Sequence, residues 1–440
     1  MLKRSIALLL CAGLFSCGGS GSGDDSDEDF RTTFRYFFPT GDTAMVSQIM
    51  PIMGDSDVQL IRNQTGASMN TALGFIAGRV TNNLGQPLTG VVVQAHNDSG
   101  LPAGSIFYQS GITGAYTPGL TMTTPTGRFV VMNVQVGRVN IKLTTVADGN
   151  LYVQCPAGST VFAQIVGTVP GAQPNWDGIT MNLIASGRAV PGAPEPSVNY
   201  QVLGFTSAPG PASNGTTGAF DLGTVPARNT FLVKCTKATF VDTYTYIQSL
   251  NADLTPGLGG GNIFITSPAN RDAEINATGV VLTPGTGIVT GRVLSGAGGF
   301  TVQARDGNDQ IVGDVRYGDN ADGGRPSAVL TSTEADGIFY VYNVPPGQVF
   351  LRATKLGQAA TTYVDVFADA ITLPLDLSPL TQAQATISIS GALASLQGFA
   401  VPNGKVTLHG LGISDTSDQF GEYTISSAPA QYLLIVRTSK

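Results

Sequence analysis

Gly78-Arg79-Val80-Thr81-Asn82-Asn83-Leu84-Gly85-Gln86-Pro87-Leu88-Thr89-Gly90-Val91-Val92-Val93 reads as a strand, a tight turn and a second strand. β-Branched residues flank a Gly-x-Pro turn, the composition expected of paired strands. The opening recurs. Gly74-Phe75-Ile76-Ala77-Gly78-Arg79-Val80 returns as Gly287-Ile288-Val289-Thr290-Gly291-Arg292-Val293. Weaker copies read Ala185-Ser186-Gly187-Arg188-Ala189 and Ile389-Ser390-Gly391-Ala392-Leu393. The four marker glycines, Gly78, Gly187, Gly291 and Gly391, lie about one hundred residues apart, a repeat of domain size.

A second marker follows each first one. Gly127-Arg128-Phe129 leads to Asn133-Val134, and Gly337-Ile338-Phe339 to Asn343-Val344. Gly218-Ala219-Phe220 leads to Val225-Pro226, and Gly421-Glu422-Tyr423 to Ala428-Pro429. Each runs into an alternating stretch: Val139–Leu143, Phe231–Lys234, Val349–Ala353 and Tyr432–Val436. Period-two alternation predicts half-buried strands, and the marker aromatic has the parity to enter a sandwich core. Each marker glycine is expected where a turn needs positive φ or where backbone passes closely.

These residues resemble a carboxypeptidase regulatory-like domain. The opening runs strand, Gly-x-Pro-Leu turn, strand; Gly-x-Phe and a later Gly form its second hallmark. The resemblance implies an all-β chain of tandem immunoglobulin-like or prealbumin-like (transthyretin-like) β-sandwiches, elongated as beads on a string. It implies units at 74–184, 185–284 (divergent), 285–379 and 384–440. Alternating runs at Ile179–Leu183, Val280–Leu282 and Ile371–Leu375 are expected to end the first three. The fourth stops after a single late strand, so it is short and lacks its siblings' terminal strands. Asp57-Val58-Gln59-Leu60-Ile61-Arg62 reads as an orphan strand. The edge of the fourth unit is either protected within a shorter sandwich or open to a strand from another chain. In the N-terminal segment 30–73, aromatic residues from Phe30 to Phe38 and Met45, Met50 and Met53 are expected to pack on the first sandwich.

Composition agrees with this class. The chain has 440 residues, with Gly 56, Pro 25 and 12% charged residues, against 42% hydrophobic. Scarce charge disfavours a coiled coil, and the apolar fraction disfavours a wholly disordered chain. A net charge of −7 with no basic stripe argues against nucleic acid.

The N-terminus reads as a leader. Lys3 and Arg4 precede an apolar run from Ile6 to Phe15, too short to span a bilayer. Leu14-Phe15-Ser16-Cys17 resembles a bacterial lipobox, with Phe15 departing from the usual small residue. The resemblance implies a signal peptide at 1–16 and lipidation at Cys17, with the membrane as partner through the lipid. Gly18 after the cysteine implies the outer membrane, in either leaflet. Residues 17–29, rich in Gly, Ser and Asp, read as a solvated tether.

No catalytic constellation is legible. The internal cysteines, Cys155 and Cys235, fall on non-equivalent strands of different units, so buried thiols are expected over a disulfide. His96 and His409 each follow their marker glycine by the same interval and are expected on separate surfaces. No metal or cofactor motif is present, and the catalytic histidines and glutamate of metallocarboxypeptidases are not found. The acidic loops Asp306–Asp309 and Asp319–Gly323 read as solvated turns. The expected function is non-catalytic: a lipid-anchored envelope spacer or adhesion-like module, with an envelope protein or polysaccharide as partner. The alternative is carbohydrate recognition through aromatic loops, with Tyr108, Tyr116, Trp176 and Tyr317 as glycan contacts.

Overall fold

The computed structural model describes residues 29–37, 45–82, 84–144, 149–166, 176–184, 197–205, 219–226, 230–248, 262–294, 298–381, 386–395, 398–429 and 434–440. The leader, most of the tether and Cys17 lie outside them. The fold is four β-sandwiches built to one plan.

In each unit an opening strand pairs with an antiparallel return strand. An inner strand and a bridging strand then pair antiparallel on the facing layer, and a closing strand lies parallel to the opening one. In unit 1 these are Gly74–Thr81, Arg128–Val134, Gly137–Thr144, Gly149–Cys155 and Thr160–Val166. In unit 3 they are Gly287–Arg292, Ile338–Val344, Gly347–Lys355, Gln358–Val366 and Ile371–Leu373. Unit 2 uses Trp176–Ile184, Ala219–Pro226, Thr230–Thr236, Thr243–Gln248 and Asn262–Phe264. Facing layers bury Ile76, Phe129, Ile141 and Val153 in unit 1, and Val289, Phe339, Leu351 and Val364 in unit 3.

The two sequence markers explain one another. Gly78 is the cross-strand partner of Phe129, Gly291 of Phe339, and Gly391 of Tyr423. A Cβ at Gly78 or Gly291 would overlap the partner's ring, so the glycine lets the aromatic lie flat over the opening strand. The second-marker glycines do the other job: Gly127, Gly337 and Gly421 have φ of 66°, 75° and 77°. In unit 2 the residue opposite Phe220 is Met181. Gly187 is therefore not the counterpart of Gly78, and it lies outside the described residues. Trp176–Ile184 opens unit 2 instead of ending unit 1, which closes at Val166. Val280–Leu282 forms no strand; unit 2 closes with Asn262–Phe264.

Unit 4 is completed by the other end of the chain. Its opening, return and inner strands are Thr386–Ser395, Glu422–Pro429 and Leu434–Ser439. Its bridging strand is Thr33–Phe37, antiparallel to the inner strand, with Thr33 opposite Thr438 and Tyr36 opposite Ile435. Its closing strand is Met45–Gly54, parallel to the opening strand, with Ile52 opposite Ser395. The strands missing from 384–440 are thus those of the N-terminal segment. Met50 and Ile52 are fully buried among Ile389, Leu393, Tyr423 and Val436. The expected edge is filled in cis.

Asp57–Arg62 is helical, within α1 (Asp55–Thr65). Val58, Ile61 and Thr65 share a buried face at helical spacing, which outweighs the short apparent alternation. The Asp57 carboxylate accepts the Gly54 N–H at 3.2 Å, and Gly66 ends the helix with φ 67°. A second helix, α2 (Pro268–Asn276), lies between units 2 and 3, as α1 lies between units 4 and 1.

Sheets run across unit boundaries. Thr33–Phe37 pairs on its other side with Thr160–Val166, so units 4 and 1 share a nine-stranded sheet. Thr243–Gln248 pairs with Ile371–Leu373, so units 2 and 3 share an eight-stranded one. The all-β sandwich class stands, but the units are not separate beads. They form two fused pairs, each joined by a bridging strand laid beside the next unit's closing strand.

Candidate functional site

A buried network of polar side chains lies where the four units meet. Each bridging strand carries a tyrosine whose hydroxyl crosses to another unit: Tyr36, Tyr152, Tyr246 and Tyr363. Each reaches a neighbouring unit, and the contacts occur in two matched kinds. Tyr152 donates to the Leu203 carbonyl at 2.7 Å, and Tyr363 to the His409 carbonyl at 2.6 Å. Leu203 and His409 each follow an equivalent strand, Asn199–Val202 or Lys405–Leu408. Tyr36 accepts the Gln154 N–H at 2.8 Å, and Tyr246 accepts the Asp365 N–H at 2.9 Å. Gln154 and Asp365 occupy matching places, each two residues after its own unit's tyrosine. The pattern repeats after two units, giving the assembly an approximate twofold character.

Charge is concentrated between the pairs. The Arg138 guanidinium binds Asp98 at 2.7 and 2.8 Å and Asp365 at 3.1 Å. It lies 5.2 Å from the Tyr152 ring centroid and 5.1 Å from that of Phe367. Asp365 also accepts from Tyr246 at 2.9 Å and from Gln154 at 3.0 Å, so its carboxylate is tied to units 1 and 2. Arg138 is 7% exposed and Asp365 5%. Burial disfavours the charge on Arg138, but Asp365 and Asp98 outweigh it and hold its pKa above the ordinary value. Burial raises the pKa of all four phenols, which stay neutral and serve as hydrogen-bonding groups. Asn140 adds a bond to the Gly204 carbonyl at 3.2 Å, and Asn150 one to the Thr230 carbonyl at 3.1 Å. Tyr244 stacks on Phe367 at 3.7 Å between units 2 and 3.

This hub was absent from the sequence reading, although a signal exists. Tyr152-Val153-Gln154, Tyr246-Ile247-Gln248 and Tyr363-Val364-Asp365 share a tyrosine, an apolar residue and a polar one near a strand end. Tyr36-Phe37-Phe38 is a looser fourth copy.

The residues expected to touch a glycan are placed differently. Tyr108 and Tyr317 are 4% and 5% exposed, inside units 1 and 3. Their hydroxyls accept the Val93 and Val302 N–H groups at 2.8 and 2.9 Å, so each phenol pins a facing layer and offers no ring to solvent. Tyr116 packs by α1, its backbone N–H bonded to Gln64 at 3.0 Å, and burial pushes its phenol up to about 12. Trp176 begins the opening strand of unit 2 instead of sitting in a loop; its side chain lies outside those described.

Neither histidine is fully exposed: His96 lies in the interior and His409 is half-buried. His96 is 6% exposed. His409 lies in the seam between units 3 and 4, edge-on to Phe34 at 5.6 Å and 6.4 Å from Tyr363. Burial, reinforced by Arg437, lowers its pKa to about 4. Cys155 and Cys235 are free and buried, and burial pushes both thiols up to about 12. Among the described residues no three His, Cys, Asp or Glu side chains form a metal-sized group, and no helix is long and apolar enough to cross a membrane.

No family model matches the chain, and no curated protein matches it. Among solved structures it is similar to the Bacillus anthracis TIE protein, at 10% identity and a TM-score of 0.17, over 70% of this chain and 51% of that one. It therefore spans about half the length of that protein. It is also similar to a streptococcal ancillary pilin, at 10% identity and a TM-score of 0.16, over 70% of this chain and 99% of that one. The major pilin subunit of Bacillus cereus, BcpA, gives 10% identity and a TM-score of 0.15, over 81% and 85%. At such TM-scores these likenesses decide neither assembly nor function.

Proposed function

We propose that the chain is an exported, lipid-anchored, non-catalytic interaction body of the outer envelope. The observation that carries this reading is the closure of unit 4 by Thr33–Phe37 and Met45–Gly54. A spacer needs independent beads in line; here the first described strands and the last strand share one sandwich. The proposed anchor at Cys17 precedes Asp29 by twelve residues, a reach of at most about 40 Å. The body is then held near the bilayer instead of being extended from it. Neutral phenols and a paired Arg138 are groups spent on joining units, which supports a binding body over an enzyme. The carboxypeptidase regulatory-like resemblance of the sandwiches fits the same reading. Interior Tyr108 and Tyr317 disfavour the glycan alternative.

Two measurements test this. Mass spectrometry of the N-terminal peptide from membrane-extracted protein is expected to find acyl groups on Cys17, and Cys17→Ala is expected to release the chain from membranes. Scattering from residues 30–440 is expected to give a radius of gyration of about 22 Å, the value for one globule of that length. A Cys17→Ala chain that still sediments fully with membranes overturns the anchor. A radius typical of an extended four-bead rod overturns the compact body.

A further inference from the structure

The free end of unit 4 combines three features. Phe399 is 49% exposed and Phe420 64% exposed, the only phenylalanines of such exposure among the described residues. They share one tip. The Phe399 carbonyl accepts the Ser395 N–H at 2.9 Å at the end of the opening strand. A Cβ on Gly421, next to Phe420, would lie 3.3 Å from the Cβ of Ala400, next to Phe399. The third feature is the chain entry. Ser395 is opposite Ile52, Phe30 is opposite Gly54, and Ala400 bridges Ala394 from the other side, so Asp29 enters about three strand spacings, roughly 14 Å, from Phe399.

We propose that this tip is the membrane-contacting surface of the protein, with Phe399 and Phe420 seated in the interfacial zone of the bilayer. The proposal rests on the Cys17 anchor proposed above. A twelve-residue polar tether has a typical end-to-end distance of about 20 Å, so the lipid holds this end of unit 4 beside the surface. Weak insertion then suffices, because tethering makes it intramolecular. Phenylalanine side chains exposed on a turn can bury apolar area at the headgroup–acyl boundary. The charges around the tip are mixed: Lys405 and Lys440 are exposed, and so are Asp418 and Glu422. The contact is therefore apolar, and zwitterionic lipid is expected to support it without anionic headgroups.

The test uses the full lipidated chain reconstituted in phosphatidylcholine vesicles carrying brominated acyl chains. Trp176→Phe removes the single native tryptophan. Phe399→Trp or Phe420→Trp then places a probe on the tip, and Leu84→Trp places one at an exposed turn beyond the far end of Gly74–Thr81. Quenching at 399 and 420 is expected to exceed that at 84 by about twofold or more and to persist in high salt, as apolar insertion predicts. Equal quenching at all three positions, or none at 399 and 420 in a chain whose Cys17 is acylated by mass, overturns the tip alone. An unacylated Cys17 overturns the anchor and the tip together. A concentration-dependent dimer abolished by Phe399→Ser, without quenching, assigns the tip to a second copy and overturns the lipid contact.

Discussion

At the scale of single residues, two readings carry the most weight. The first is the glycine–aromatic pair. Both halves were legible as separate markers, but their contact was not, because half a unit of sequence separates Gly78 from Phe129. Gly78→Ala forces a Cβ into the Phe129 ring, and overpacking of this kind costs about 1–3 kcal/mol. Chemical denaturation is expected to show that loss, with partial recovery in Gly78→Ala/Phe129→Leu. The second is His409, read from sequence as a surface residue. Nothing local reveals its seam, since Phe34 reaches it from the other end of the chain. Its native pKa of about 4 lies below the unfolded value near 6.5. Above pH 6.5 both states are neutral; as pH falls towards 4 only the unfolded state gains the proton, so stability declines across that window. The shift is worth at most about 3 kcal/mol. The urea midpoint is expected to fall more between pH 7 and 4.5 for the native chain than for His409→Leu.

At the scale of elements, the sequence spoke clearly within units and poorly between them. The alternating inner strands and the positive-φ turns follow from local pattern. The misreading of unit 2 came from Met181 standing where the other units have glycine, which moved the apparent marker to Gly187. The completion of unit 4 was invisible for a different reason. A strand's pattern states which face is buried but not which strand lies beside it, and Thr33 meets Thr438 across nearly the whole chain. This pairing makes a direct prediction. A chain beginning at Asp55 lacks the bridging and closing strands of unit 4 and leaves Ile389, Leu393 and Val436 uncovered. Hydrogen exchange is expected to show protection lost across 386–439 while Thr230–Thr236 and Ile338–Val344 remain protected. A synthetic 30–54 segment is expected to restore it. Retained protection in the shortened chain would count against the shared sandwich.

At the scale of the whole molecule, the hub selects which units meet. Separate beads would need no buried charge, and a buried ion pair is poor evidence of stability by itself. Arg138 and Asp365 belong to different units, and their bond joins one fused pair to the other. Arg138→Met strands the Asp365 carboxylate and is expected to cost about 3–5 kcal/mol, measured by denaturation. Arg138→Met/Asp365→Asn is expected to recover much of that, giving a clear coupling energy in a double-mutant cycle. The shared sandwich also has a consequence for biosynthesis. Thr33–Phe37 leaves the ribosome hundreds of residues before its partner Leu434–Ser439 exists. The faces of Met50 and Ile52 that meet Ile389, Leu393 and Val436 must wait until residues 386–439 have been made. A product that stops short of Leu434 can never close that sandwich, and it displays the same sticky strands to the proteases and chaperones that clear it.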